Sequence, residues 1–167
     1  MPVPPTRLDD FILRMQAQRA CIDEAAVRTA QMPGPVLEVG LGNGRTFDHL
    51  RQRFTGRPIF VFDREVGAHP DCIPAQEFQR LGDFRRSLPD YLSEGRDPAV
   101  FIHADIGSAN RAASTQLASE LAPVWLRILA IGGFLASDQP VHAAGFQPLP
   151  MPGGVTTRHY HFYQRTG

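Results

Sequence analysis

Gly40, Gly42 and Gly44 stand at alternate positions in EVGLGNG, directly after the apolar run PVLEV. Glycines so placed let a backbone turn sharply from strand to helix and pass close to a ligand. The start of the next helix would then offer free N–H groups to an anion or a carboxylate. The dinucleotide fingerprint GxGxxG is not met, because Arg45 follows Gly44 and the third glycine falls one residue early. Other residues with chemical use close apolar runs farther along. PIFVFDRE carries Asp63 and Arg64, and a carboxylate there can accept from both hydroxyls of a vicinal diol. LGDF carries Gly82, Asp83 and Phe84, the last an aromatic face able to flank another flat ring. AVFIHAD ends in His103 and Asp105. His103 falls at the edge where ligands of open α/β sheets bind, and its ordinary pKa suits a general base near neutrality. His159 and His161 are expected to alternate on one face of a final strand, as a solvated polar edge, with His142 upstream.

Taken as a set, these runs resemble the class I S-adenosylmethionine (SAM) dependent methyltransferases. VLEVGLGNGRT is similar to the family's first motif, and the resemblance covers residues 35 to 138. It implies SAM as cofactor and S-adenosylhomocysteine as product. It also implies that Gly40, Leu41, Gly42, Asn43 and Gly44 pass under the amino-acid end of the cofactor, with Glu38 helping to hold its amino group. Asp63, beside Arg64, takes the place of the acid that holds the ribose hydroxyls. Gly82, Asp83 and Phe84 take the place of the segment that reads adenine, and RILAIGGFLASD resembles the approach to the fifth strand. His103 and Asp105, at the end of the fourth strand, are the candidate catalytic residues, with His103 also near the cofactor.

The acceptor motifs of several subfamilies are missing. There is no Asn/Asp-Pro-Pro-Tyr run after the fourth strand, no Pro-Cys nucleophile and no paired-glutamate loop. Asp138-Gln139 comes close to the Asp-Asn pair of catechol-type enzymes, but His103 stands where their first metal-binding Asp would be, so no metal is expected. Methyl transfer to O or N of a small molecule is the function implied. A SAM-binding regulatory module and, less well supported, an NAD(P)-binding oxidoreductase are the alternatives.

The elements that would position these residues follow from periodicity. Leu8, Phe11, Ile12, Met15, Cys21, Ile22, Ala26 and Val27 recur at spacings of three and four, which predicts a helix over residues 8–30. Its apolar stripe is expected first to cover the sheet, and the family resemblance implies that Phe11, Arg14 and Met15 also help to shape an acceptor pocket. Strands are expected at 35–40, 58–63, 75–82, 99–105 and 132–138, with helices at 45–54, 85–94 and over the 25 residues after 105, where Pro123 restarts or kinks the run. No full helix is expected between 64 and 74. FQPLP and VTTRHYHFYQR read as two strands joined by MPGG. The fold expected is a Rossmann-like three-layer α/β/α sandwich, strand order 3-2-1-4-5-7-6 with strand 7 antiparallel. It forms one domain over 1–167: a helical cap at 1–34, a cofactor core at 35–138 and a terminal hairpin at 139–167.

Composition bounds the partners. The 167 residues hold 17 basic and 17 acidic side chains, so bulk charge attracts neither nucleic acid nor an anionic membrane. Every basic side chain is Arg. A P-loop lysine, a Schiff-base lysine and a Ser-x-x-Lys hydrolase are thereby excluded together. Two cysteines outside any CxxC, without a signal-like start, fit the cytoplasm. VWLRILAI and the terminal strand are apolar enough to serve a homo-oligomer interface.

Overall fold

The computed structural model describes residues 1–167. A seven-stranded sheet has the order β3-β2-β1-β4-β5-β7-β6. Its strands are β1 (Val36–Val39), β2 (Ile59–Asp63), β3 (Gln79–Leu81), β4 (Ala99–Ala104), β5 (Leu129–Ser137), β6 (Phe146–Leu149) and β7 (His161–Arg165). β1 to β5 are parallel, and β7 runs antiparallel to both β5 and β6. The helices are α1 (Arg7–Arg28), α2 (Arg45–Arg53), α3 (Phe84–Ser93) and α4 (Arg111–Ile128).

Alternation along the strands builds two cores, one on each face. Leu37, Val39, Phe60, Phe62, Ile102 and Leu135 pack under α3 and α4, against Leu88, Tyr91, Leu121 and Trp125. Val36, Val61, Phe101, Phe134, Ala136 and Phe162 pack under α1 and α2, against Cys21, Ile22, Ala25, Phe47 and Leu50. Glu38 and His103 belong to this second face, and they are direct neighbours in the β1–β4 register. β1, β2 and β4 are buried on both sides, as parallel strands covered by helices require.

The structure differs from the periodicity at the ends of elements. β3 is three residues long, because Gln76–Phe78 curl into a 3-10 turn and β2 offers partners only at Val61 to Asp63. A second such turn at Pro70–Cys72 stands where the expected helix was missing. α4 starts at Arg111, capped by the Asn110 side chain, so residues 105–110 form a loop rather than helix. Pro123 lies within a continuous α4. β5 begins at Leu129, three residues before the expected start. β7 begins only at His161, where its pairing with Ser137 starts, and Pro152–Gly154 form a 3-10 turn before it. His159 therefore lies outside the strand and does not alternate with His161 on it. Trp125, Ile128 and Leu129 of VWLRILAI are buried within this chain, whereas Ile131 is exposed. No helix is long and apolar enough to cross a membrane.

Candidate active site

The Gly40–Gly44 turn leaves β1 between the C-terminal ends of β2 and β4. The Gly40 N–H donates to the Phe62 carbonyl at 2.8 Å. Gly40 has φ +96°, and a Cβ there would collide with the Asp105 carbonyl oxygen. Only glycine fits both constraints. Gly42, at φ +51°, faces open space instead, which is the cradle a bound group needs.

Asp63 holds this turn. Its Oδ2 accepts from the Leu41 and Gly42 N–H groups at 2.8 and 3.2 Å, and its Oδ1 accepts from the Arg64 N–H at 2.7 Å. A carboxylate has about four lone-pair sites, so about one is left for a ligand hydroxyl. The Gly82 N–H donates to the Asp63 carbonyl at 2.9 Å, tying the third strand's end to the second. Asp83 caps α3, its Oδ1 accepting from the Arg85 N–H at 2.8 Å. Asp63, Arg64, Asp83 and Phe84 line a cavity of about 370 Å³ whose opposite wall is Ile106, Ser108, Ser114 and Leu117. Its walls mix carboxylates at one end with a ring and aliphatic groups at the other, as a nucleoside needs.

Glu38 and His103 lie beneath the turn, both with 0% exposure. Glu38 Oε2 accepts from the Thr46 hydroxyl at 2.8 Å, and Oε1 meets His103 Nδ1 at 2.5 Å. Burial opposes a charged imidazole, but the Glu38 carboxylate, by charge and by hydrogen bond, outweighs it. Asp105 and Asp138 add to this, and the His103 pKa is raised. His103 Nε2 and the Tyr160 hydroxyl are buried without partners, their rings 6.0 Å apart. An unpartnered buried polar atom is costly, so this point is suited to a bound polar group or an internal water.

Asp105 directly follows β4, and its Oδ2 accepts from Gln18 of α1 at 3.1 Å. Asp138 accepts from the Ile106 and Gly107 N–H groups at 3.0 and 2.8 Å and from the Gln139 amide at 3.1 Å. Burial raises its pKa, and the charge of Asp105 adds to the rise. A second cavity, of about 600 Å³, opens beside Asp138 and Gln139. Phe11 and Arg14 of α1 line it, together with His159; Met15 is not among the lining residues. Ser108 borders both cavities, so the 105–110 loop is their common wall. His142 is exposed, and burial lowers the His161 pKa, with the charges of His142 and His159 acting the same way. No group of three or more His, Cys, Asp or Glu side chains is disposed to hold a metal ion.

Sequence reasoning missed Gln18, Ile106, Ser108, Arg111 and Leu117. Gln18 had a signal: it is a polar residue on the buried stripe of α1, between Ala17 and Cys21. The others lie in or beside the segment taken as helix from its start.

Residues 5–165 match the family described as S-adenosyl-L-methionine methyltransferase. The chain is similar to an S-adenosyl-L-methionine methyl transferase from Silicibacter pomeroyi DSS-3. The two are 42% identical with a TM-score of 0.91, over 97% of this chain and 99% of that one. TrmN from Thermus thermophilus shares 18% identity at a TM-score of 0.59, over 86% of this chain and 48% of its own. Human methyltransferase-like protein 13, solved with S-adenosylhomocysteine, shares 12% identity at 0.60, over 93% and 82%. These last two show the fold alone. No curated protein matches the chain.

Proposed function

The chain belongs to the S-adenosyl-L-methionine methyltransferase family, and on that premise we propose that it methylates O or N of a small molecule seated in the second cavity. The observation that carries this reading is the shared Ser108 wall, which sets an acceptor-sized space directly beside a nucleoside-sized one.

The residues present fit SAM. Asp63 has acceptor capacity left for a ribose hydroxyl. Asp83, Phe84, Ile106 and Leu117 would enclose adenine, and the open face of Gly42 leaves room for the chain that joins the ribose to the amino acid. Glu38 and His103 would act from below, by fixing β1 against β4 and the turn above them. Bound SAM supplies an already activated methyl group on a sulfonium. The protein's part is therefore alignment, exclusion of water and, for an acceptor that must lose a proton, a place to put it. Asp138 lines the acceptor cavity and carries a raised pKa, which suits it to take that proton. Asp105 is held by Gln18, and His103, with no exposure, positions groups rather than touching the acceptor.

The test is transfer of labelled methyl from SAM into separated small-molecule, protein and RNA fractions of a cell extract. Label in the small-molecule fraction is expected. Label confined to RNA or protein would overturn the acceptor class and leave the donor site standing.

A further inference from the structure

Three guanidinium groups converge on the second cavity. Arg7 and Arg14 are seven residues apart on α1, with Asp10 and Phe11 between them, so all four project from one helix face into the same space. Arg111, the first residue of α4, enters from the opposite side. Seven of the seventeen arginines are paired with a carboxylate, among them Arg51 with Asp48, Arg53 with Asp23, Arg80 and Arg96 with Glu94, and Arg85 with Glu120. Arg7, Arg14 and Arg111 take part in no ion pair. Two carboxylates share the cavity with these three guanidinium groups, and neither is within ion-pair distance of one of them. Asp10 faces His159 at 3.9 Å, and both oxygens of Asp138 are occupied by N–H donors from Ile106, Gly107 and Gln139. Arg14 is steadied by the Phe11 ring, 5.9 Å from its centroid.

Three guanidinium groups against two carboxylates leave the concave space with an excess of positive charge, which an anion offsets. Guanidinium is the group best matched to planar or tetrahedral oxyanions, since its fork donates two parallel N–H bonds. We infer that the second cavity binds an oxyanion group, carboxylate or phosphate, carried by the methyl acceptor, with Arg7, Arg14 and Arg111 as its ligands. The acceptor is then a small acid, anchored by its anionic end with its nucleophilic O or N turned toward Ser108. This rests on the methyl-transfer reading for the word acceptor, but not for the anion site itself.

The test uses the full-length protein saturated with S-adenosylhomocysteine and follows arginine Nε–H resonances by NMR. Inorganic phosphate is titrated in one arm and malonate in the other. Arg14→Gln and Arg111→Gln identify the signals and serve as the controls. The expected result is a saturable shift of these resonances with at least one anion, weakened tenfold or more in either variant, while S-adenosylhomocysteine binds both variants as it binds the wild type. Phosphate and malonate arms differing in affinity would tell which oxyanion the site prefers. Shifts that never saturate, or saturate equally in the variants, would overturn the site. Loss of S-adenosylhomocysteine binding in Arg14→Gln would overturn it for Arg14, which would then belong to the donor's carboxylate. Failure of S-adenosylhomocysteine to bind the wild type, with anion binding intact, would instead count against the methyl-transfer reading.

Discussion

Asp63 carries more than one task. It braces the Gly40–Gly44 turn through the Leu41 and Gly42 N–H groups and lines the nucleoside-sized cavity. Asp63→Ala leaves two backbone donors without an acceptor and removes the ribose partner. The expected loss of S-adenosylhomocysteine affinity is about 2 kcal/mol, roughly thirtyfold, read by calorimetric titration. Unchanged affinity would show that the ribose lies elsewhere. The Glu38–His103 pair makes a separate prediction, about pH. The folded-state pKa of His103 is raised, so the folded protein holds a proton that the unfolded chain releases near about pH 6.5. The stability this contributes is complete below that pH and is lost as pH rises through the folded-state value. Urea unfolding of the wild type should show this loss, and His103→Gln should lack it. Parallel curves for the two proteins would mean that His103 stays neutral. His161, whose pKa is lowered, acts on the other side of pH 6.5 and is common to both proteins.

The elements set the site through their ends. Gly40 is where β1 must leave the sheet under the Asp105 carbonyl. Gly40→Ala adds both a left-handed backbone strain and a collision, and at least about 2 kcal/mol of stability should be lost, measured as a lower urea midpoint. Asn110 stops α4 from reaching back into the loop shared by the two cavities. Asn110→Ala should cost about 1 kcal/mol through the lost Ala113 N–H acceptor, with a matching drop in midpoint. An unchanged midpoint would mean that α4 is started by other groups. The interiors of these elements were legible in sequence, because short apolar runs in β1, β2 and β4 and spacings of three and four in α1 report burial directly. Their ends were less so. β3 is as long as its partner segment Val61 to Asp63, β7 spans the residues that β5 and β6 together pair with, and a single strand's composition does not contain that information. Residues 105–110 contain Gly107 and the cap-type residues Ser108 and Asn110, which disfavour a helix interior, and the Asn110 side chain on the Ala113 N–H fixes where α4 starts.

At the scale of the molecule, the sheet order brings β1 between β2 and β4, so one crevice collects Gly40–Gly44, Asp63, Asp83 and Asp105 from segments far apart in sequence. That half of the site was readable, since each of its residues closes a strand or opens a helix. The acceptor half was not. It is assembled from α1, from the loops after β4 and β5 and from His159, which share no motif and meet only because α1 lies across the end of the sheet. The helix is consequently both a cover for the core, through Cys21, Ile22 and Ala25, and one wall of a cavity, through Arg7, Phe11 and Arg14. The measurement that bears most directly on this arrangement is a crystal structure of the complex with S-adenosylhomocysteine. The account requires adenine between Phe84 and Leu117, the ribose on Asp63, and the sulfur at the Ser108 boundary, with the arginine-lined cavity still open beyond it. A nucleoside found in the arginine-lined cavity, or a sulfur turned away from Ser108, would contradict it.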